Sequence, residues 1–320
     1  MKNGKPESIN VCASPYYLGI DGGGTKTVFK LVNENGDIIR EVRKGASNPN
    51  DIGMENTLSV LRDGIKEVCA GIPYSRITMF AGIAGGGMSG NNAKILRRFF
   101  HEFSFFAFEN SSDIENLSAL SDDEKRILVI MGTGFIVYAI NSTEKKRIAG
   151  WGQLFDDGGS GYTIGRDAIT AVLSASDGSG QQTVLTTLME EKIGETAEAH
   201  LTKFYQGGKR YIAEFASIVF RAAESDDAVA LSILEKNMRF AADKINTALA
   251  FLNDNHGDAN IPVLFAGGIS NQNEVLFPLM EKYIPYHNYH LIPLPNDPVE
   301  GAIKQARKIF EAKIKESDIF

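Results

Sequence analysis

Two glycine-rich turns, each directly after an apolar run, are the residues in this sequence best suited to chemistry. Asp21 and residues 22–25 follow an apolar run that ends at Ile20, and Gly132-Thr133-Gly134 follows a second run that ends at Met131. Glycine lets the backbone approach an anion closely, main-chain N–H groups donate to its oxygens, and threonine adds a hydroxyl donor. The pair of turns predicts one phosphate chain held from both sides.

An acidic residue and a third turn extend this pattern. Asp21 stands at the carboxyl end of its predicted strand, where a carboxylate can hold Mg²⁺ directly or through its water shell. Gly267-Gly268 follows a third apolar run, residues 263–266. Lys26, beside the first turn, either assists the phosphates or is a solvated strand residue. Together these features predict a phosphate-bearing ligand and a divalent cation.

Composition limits the classes of protein to which the chain can belong. Its 320 residues, 43% hydrophobic and 23% charged, are enough for two globular domains. The formal net charge of −7 argues against a nucleic-acid partner, and no apolar run approaches the roughly 20 residues that cross a bilayer. Two cysteines, Cys12 and Cys69, without a CxxC pattern favour a cytoplasmic location. We expect residues 1–14, which lack an apolar secretion signal, to be a loose leader.

Strand and helix patterns alternate along both halves of the chain. Apolar β-type runs predict strands at residues 16–20, 28–32, 38–42, 77–83, 105–108, 127–131, 135–140, 147–151 and 263–266. Helical periodicity predicts helices near residues 58–68, 96–103, 162–174, 183–192, 211–223, 228–252, 274–283 and from 298 onward. The second half repeats the plan of the first, which predicts an α/β protein of two similar lobes with a cleft between them.

Several of these segments resemble the BadF/BadG/BcrA/BcrD ATPase family of the sugar kinase, Hsp70 and actin superfamily, which includes N-acetylglucosamine kinase and glucosamine kinase. The resemblance covers residues 17–306 and is carried by residues 19–27 (GIDGGGTKT), 131–134 (MGTG), 150–161 (GWGQLFDDGGSG), 266–268 (AGG) and 297–302 (DPVEGA). It implies a two-domain actin-like ATPase fold with ribonuclease H-like lobes, mixed sheets flanked by helices, and an interdomain cleft. It also implies a discontinuous N-terminal lobe, residues 15–124 plus 297–318, and a C-terminal lobe, residues 125–296.

The resemblance implies ATP and Mg²⁺ as cofactors. The residues that it assigns to ATP are Gly23, Gly24, Thr25, Lys26, Gly132, Thr133, Gly134, Gly267 and Gly268. Those of the first two turns would meet the phosphates, and the last two would lie near adenosine. Asp21 would hold the Mg²⁺. The resemblance further implies a homodimer through the second lobe.

Asp113 is the catalytic base that the resemblance implies. It follows the predicted strand 105–108 and starts a helical segment. As a base it would accept the proton of the 6-hydroxyl group of an amino sugar, N-acetylglucosamine or glucosamine. The alternative is a helix N-cap, for which aspartate is a favoured residue. Glu109 and Asn110 are close enough in sequence to compete for the same position.

Four further residues are implied to contact the sugar. They are Asn48, Gly150, Trp151 and Asp157. Asn48 precedes Pro49 and has turn formation as its alternative, while Trp151 is either an exposed aromatic face beside the sugar or a buried core residue. Asp157 matches the aspartate of the family's Gly-Asp-Glu-Gly turn, and ordinary loop chemistry is its alternative.

Three departures from the family pattern leave the substrate open. Phe135 stands where a serine commonly follows the second glycine turn, Gly158 stands where a glutamate follows the sugar-binding aspartate, and residues 114–116 replace small residues. A catalytically impaired protein that only binds sugar or nucleotide is therefore one alternative. Another is the family's ATPase that activates an acyl-CoA dehydratase or reductase, which requires cluster-binding cysteines that Cys12 and Cys69 do not supply. An amino-sugar kinase is the function that the sequence favours.

Overall fold

Two compact units make up the part of the chain that the computed structural model describes, residues 15–87, 90–156, 158–252, 260–294 and 297–317. The first unit contains the described residues up to Asp122 together with those from Asp297 onward. The second contains the described residues between them, from Asp123. The first unit is therefore assembled from two separate stretches of sequence. The predicted leader, residues 1–14, lies outside the described residues.

Within the described residues, each unit contains one five-stranded sheet. The strands are β1 Tyr16–Gly22, β2 Thr27–Val32, β3 Ile38–Lys44, β4 Ile77–Ile83, β5 Ala107–Ser111, β6 Arg126–Met131, β7 Phe135–Ile140, β8 Lys145–Arg147, β9 Ile261–Ala266 and β10 Tyr289–Pro293. The order is β3-β2-β1-β4-β5 in the first sheet and β8-β7-β6-β9-β10 in the second. In both sheets the first three strands pair antiparallel and the last three pair parallel. The second unit therefore repeats the topology of the first.

Helices flank both sheets. They are α1 Pro49–Ile52, α2 Met54–Val68, α3 Asn91–His101, α4 Ile114–Ser118, α5 Gly161–Ser176, α6 Leu185–Ile193, α7 Leu201–Ala213, α8 Ala216–Ala223, α9 Ala228–Leu252, α10 Asn273–Glu281 and α11 Val299–Ser317. Within the described ranges, no helix is long and apolar enough to cross a bilayer. Two mixed sheets flanked by helices are the predicted fold class, which is confirmed.

The central strands of the first unit's sheet, β2, β1 and β4, are buried on both faces. One face lies under α2 and α3 in a core that includes the fully buried Phe29. The other face carries Tyr17 and Phe80, which pack against α11. A side chain at Gly19 would come within 2.8 Å of the Val299 carbonyl oxygen, so glycine at this position lets α11 rest directly on β1.

Lys30 of β2 fixes the start of α11. Its side chain is 5% exposed, and its Nζ donates at 2.7 Å to both Asp297 and Glu300, with Glu41 at 3.3 Å. Burial alone lowers the pKa of the Lys30 amino group, but the hydrogen bonds to Asp297 and Glu300 outweigh burial and raise it above its ordinary value. The amino group therefore stays charged, and the predicted motif at residues 297–302 is anchored to the sheet.

Some elements differ from those that the sequence predicts. The predicted helix 211–223 is two helices, α7 and α8, and α7 is kinked at Gly208, whose φ is +64°. Glycines at 207 and 208 mask the helical pattern because glycine has a low helix propensity. The strand β8 lies at 145–147 rather than 147–151, and β10 has no counterpart among the predicted strands. Both are edge strands, where polar and charged residues are common and weaken the apolar signal. In the first unit, β5 begins at residue 107 rather than 105.

Candidate functional site

In the first unit, the carboxylate of Asp21 lies close enough to Asp113 to influence the ionisation of Asp113. Asp21 is the last residue but one of β1, and Asp113 comes two residues after β5. Burial raises the pKa of Asp113 to about 6, the negative charge of Asp21 adds to this rise, and nearby backbone amides oppose it. A raised pKa makes a carboxylate a stronger proton acceptor, which is the property that a general base needs near neutral pH.

Asp21 is an anchored carboxylate. Burial raises its pKa, while a hydrogen bond from Asn116 and the positive charge of Lys26 lower it without cancelling the effect of burial. The hydrogen bond runs from Asn116 Nδ2 to Asp21 Oδ1 at 2.7 Å. Asn116 therefore fixes one carboxylate oxygen of the predicted metal ligand.

Asp113 occupies the N-cap position of α4 but does not act as a cap. Within the described part of the chain, its side chain makes no N-cap hydrogen bond; the amides that oppose the rise in its pKa are those of Asp113 itself and of Ile114, the first residue of the helix. Ser160, by contrast, caps α5 by accepting a hydrogen bond from the Thr163 N–H. The capping alternative for Asp113 therefore lacks the hydrogen bond that defines it.

The first glycine turn is braced by hydrogen bonds at its base. The Gly23 N–H donates to the Lys26 carbonyl at 2.9 Å, and the Gly23 carbonyl accepts from the Ser47 N–H at 3.0 Å. Gly24, Thr25 and Lys26 stay exposed to solvent. The residues predicted to meet phosphate are thus presented on a turn that is held from below.

Asn48 has a local structural role beside this turn. Its Oδ1 accepts from the Asn50 N–H at 3.0 Å, and its Nδ2 donates to Asp51 Oδ2 at 2.7 Å. Asn48 therefore caps α1, which is a local structural role other than the turn that its alternative predicts. A sugar contact through the remaining amide hydrogen of Asn48 stays a prediction.

Parallel pairing of β6 with β9 brings the second and third glycine turns together in the second unit. A side chain at Gly267, whose φ is +101°, would overlap the Met131 carbonyl oxygen. The Gly132 carbonyl in turn accepts from the Gly161 N–H at 2.8 Å, where α5 begins. Amide groups at the start of a helix favour anions. Two glycine turns and one helix start therefore meet at this edge of the second sheet.

The predicted sugar-binding residues of the second unit follow β8. A side chain at Gly150, whose φ is +87°, would come within 2.6 Å of the Phe135 carbonyl oxygen. Trp151 is 60% exposed, and the Arg147 guanidinium lies over its ring at 4.5 Å. The core alternative for Trp151 is therefore wrong. Asp157 lies outside the described residues, and its role stays a prediction.

Phe135 and Gly158, two of the departures from the family pattern, both lie beside the side chain of Phe240 in α9. The ring centroids of Phe135 and Phe240 are 5.9 Å apart in an edge-to-face arrangement. A side chain at Gly158 would come within 2.5 Å of the Phe240 ring. On the same helix, Asn237 Oδ1 accepts from the Gly159 N–H at 2.9 Å. The Phe240 ring therefore occupies the space that a side chain at residue 158 would need. The hydrogen bond from Gly159 to Asn237 attaches this loop to α9.

Gly158→Ala is expected to lower the free energy of unfolding by roughly 1–3 kcal/mol, because the added methyl group collides with the Phe240 ring. In a Phe240→Ala background the same substitution is expected to cost much less, because the collision is gone. Urea unfolding of the four proteins in a double-mutant cycle measures the difference. Equal costs in the two backgrounds would contradict the contact.

The surroundings of Asp21 fit a magnesium ion that is held mainly by phosphates. The described residues contain no group of three or more His, Cys, Asp or Glu that could hold a metal ion. Mg²⁺ at phosphoryl-transfer sites is usually bound by one or two carboxylates, with phosphates and water completing its ligands. Asp21, whose carboxylate is anchored by Asn116, would supply the one carboxylate that such a site needs.

Cys69 does not fit a cluster-binding role. It is a free, buried cysteine, and burial raises the pKa of its thiol to about 12. Iron–sulfur clusters are held by thiolates, whereas this thiol stays protonated. Cys12 lies outside the described residues.

Two units that each contain a mixed sheet flanked by helices are the fold that the family resemblance implies. The model of the BadF/BadG/BcrA/BcrD ATPase family matches residues 18–304, so the chain belongs to this family, as predicted, and ATP is the nucleotide that the family uses.

Two curated relatives and one solved structure are similar over most of the chain. The N-acetylmuramic acid/N-acetylglucosamine kinase of Clostridium acetobutylicum is 29% identical over 303 residues, covering 91% of this chain and 98% of that protein. The N-acetyl-D-glucosamine kinase of Dictyostelium discoideum is 28% identical over 307 residues, covering 89% and 96%. A crystal structure from Chromobacterium violaceum has a TM-score of 0.69 at 23% identity, covering 91% and 99%, and supports the fold.

Sequence reasoning missed two residues that shape these sites. Asn116 appeared only as part of a departure from the family pattern, and its contact with Asp21 spans 95 positions of sequence. Phe240 lies within a long amphipathic helix, where an aromatic residue carries no signal of a loop contact. Both roles depend on tertiary packing.

Proposed function

We propose that the protein is an ATP-dependent amino-sugar kinase that phosphorylates the 6-hydroxyl group of N-acetylglucosamine or glucosamine. The observation that carries the proposal is the partly buried carboxylate of Asp113, which does not cap its helix and whose pKa is raised to about 6. The two curated relatives support this class of enzyme, because both are named as kinases of N-acetylglucosamine.

In the proposed reaction, Asp113 accepts the proton of the sugar hydroxyl group while the hydroxyl oxygen attacks the γ-phosphorus of ATP. The bond from that phosphorus to the oxygen bridging to the β-phosphate breaks, so that ADP and a sugar 6-phosphate are formed. Because only the ionised carboxylate can accept the proton, turnover falls as the pH is lowered through the pKa that Asp113 has in the substrate complex.

The glycine turns are proposed to bind ATP. The residues assigned to it are Gly23, Gly24, Thr25, Lys26, Gly132, Thr133, Gly134, Gly267 and Gly268. Asp21 is proposed to hold Mg²⁺ directly or through water. When bound, Mg²⁺ supplies positive charge that offsets the negative charge of the transferring phosphate.

The sugar is proposed to contact Asn48, Gly150, Trp151 and Asp157. The exposed aromatic face of Trp151 suits the apolar side of a sugar ring or an acetyl methyl group. A cytoplasmic location and a homodimer through the second unit belong to the same proposal.

An ADP-release assay over a panel of sugars tests the proposal. We expect MgATP turnover that depends on N-acetylglucosamine or glucosamine, and no turnover with the 6-deoxy analogue of the accepted sugar, which lacks the acceptor oxygen. Phosphorus NMR of the product is expected to show coupling to the hydrogens of carbon 6. ATP binding without release of ADP in the presence of any sugar would favour a binding protein and overturn the proposal.

A further inference from the structure

A buried asparagine, Asn116 of α4, makes an unusual set of contacts beside Asp21. It is 0% exposed, and its Nδ2 donates to Asp21 Oδ1 at 2.7 Å. The same nitrogen lies 3.3 Å from the Ile20 carbonyl oxygen and 3.4 Å from the Gly82 carbonyl oxygen. Three acceptors thus surround one amide nitrogen, and the shortest contact is to the carboxylate.

The amide oxygen of Asn116 differs from the amide nitrogen in its surroundings. Among the described residues, Asn116 Oδ1 is buried and accepts no hydrogen bond. A buried polar atom without a partner costs free energy of folding, and an apolar side chain of the same size would avoid that cost. Fold stability alone therefore does not explain why residue 116 is an asparagine. The amide nitrogen, which donates to Asp21, is the part of the side chain that an apolar residue could not replace.

The surrounding backbone holds the amide in one orientation. A side chain at Gly82 would overlap the Asn116 amide group, so β4 lies directly against that amide; α11 lies as closely against the main chain of Asn116, where a side chain at Gly301 would overlap the main-chain oxygen. Turning the amide over would place its oxygen against two carbonyl oxygens and a carboxylate, all of which are acceptors. The Nδ2 atom of Asn116 is therefore kept facing Asp21 Oδ1.

We propose that Asn116 is a positioning residue that holds Asp21 Oδ1, so that the Asp21 carboxylate is oriented for the magnesium ion of the Mg²⁺–nucleotide complex. This inference rests on the proposed function, because it takes Asp21 as the metal ligand. Partners that orient a ligating carboxylate affect metal affinity strongly: their loss typically costs 10- to 100-fold.

Calorimetric titration of ADP, with and without MgCl₂, separates positioning from a structural role. In Asn116→Leu, which keeps the size of the side chain and removes the donor, we expect the affinity for ADP in the presence of Mg²⁺ to fall 10- to 100-fold. The affinity for ADP without Mg²⁺ is expected to stay close to that of the wild type. The melting temperature is expected to fall only slightly, because Asp21 Oδ1 loses its donor while the unpartnered Asn116 Oδ1 is removed as well. If Asn116→Leu does not fold, the smaller Asn116→Ser, whose hydroxyl group is too short to reach Asp21, takes its place with the same expectation.

Asn246 of α9 offers a matched control. It is a partly buried asparagine whose Nδ2 donates to the Tyr283 carbonyl at 2.9 Å and whose Oδ1 is buried and accepts no hydrogen bond from the described residues. Asn246→Leu is expected to leave ADP affinity unchanged with and without Mg²⁺. Loss of affinity by Asn116→Leu to the same extent in both conditions, or no loss in either, would overturn the inference. Failure of the wild type to phosphorylate any sugar would instead overturn the proposed function, and the Mg²⁺ dependence of ADP binding would still be measurable.

Discussion

Asp113→Asn is expected to lower kcat by about 10²- to 10⁴-fold, the contribution typical of a general base. The amide keeps the shape of the carboxylate but cannot accept the proton of the sugar hydroxyl group. Because the substitution leaves the glycine turns untouched, the KM values for ATP and for N-acetylglucosamine are expected to change only a few-fold. Steady-state kinetics with the ADP-release assay measures both quantities.

Asp227 provides the control for this substitution. Its carboxylate accepts hydrogen bonds from the Ala230 N–H at 2.8 Å and the Val184 N–H at 2.9 Å, so it is a true capping aspartate. Asp227→Asn is expected to leave kcat unchanged. A kcat of Asp113→Asn within a few-fold of the wild-type value would show that Asp113 is not the base.

The same Asp113→Asn substitution is expected to stabilise the fold above pH 6. A pKa of about 6 in the folded protein, against an ordinary value of 3.8, means that the folded state binds the Asp113 proton more tightly than the unfolded state. The ionised carboxylate therefore destabilises the fold above pH 6, by up to about 3 kcal/mol. Asparagine is never ionised and removes this cost.

Urea unfolding at several pH values tests the sign of the effect. The gain in unfolding free energy of Asp113→Asn is expected to be full above pH 6 and to shrink as the pH falls from 6 to 4. It is expected to vanish below the ordinary pKa of 3.8, where the wild-type carboxyl group is protonated in both states. Hydrogen bonds hold the pKa of Asp227 below its ordinary value despite the opposing effect of burial, so Asp227→Asn is expected to destabilise the protein at neutral pH. A destabilised Asp113→Asn at pH 8 would contradict the raised pKa.

Two features of the candidate site are expected to lower the stability of the fold. Asp113 is held in a partly buried position without a capping bond, and Asn116 is held with an amide oxygen that accepts no hydrogen bond from the described residues. Both features are unfavourable for folding, and both fit the chemistry of the proposed kinase. Functional sites are where such local costs are expected.

The parts of the fold that the sequence predicts well are those with a local signal. The strands β1, β6 and β9 are apolar runs that end in glycine turns, and the periodic stripe of α9 marks its full length. The repeat of one strand-and-helix plan in both halves is visible for the same reason. By contrast, β8 consists of Lys145–Arg147 at a sheet edge, and its composition resembles that of a charged turn.

The candidate site divides in the same way. Asp21 and the glycine turns stand out because their residue types directly follow strands, and Asp113 stands out through the family resemblance. The Asn116–Asp21 bond and the Phe240–Gly158 contact join residues 95 and 82 positions apart. Neither has a local pattern, so only the folded chain reveals them.

A crystal structure with N-acetylglucosamine and a non-hydrolysable ATP analogue tests the assignment of base and acceptor most directly. The decisive distance joins oxygen 6 of the sugar to the nearer carboxylate oxygen of Asp113. We expect about 2.6–3.2 Å, the reach of a general base. A different hydroxyl group at that distance would contradict the 6-hydroxyl as acceptor, and a sugar bound away from Asp113 would contradict the kinase mechanism proposed for this protein.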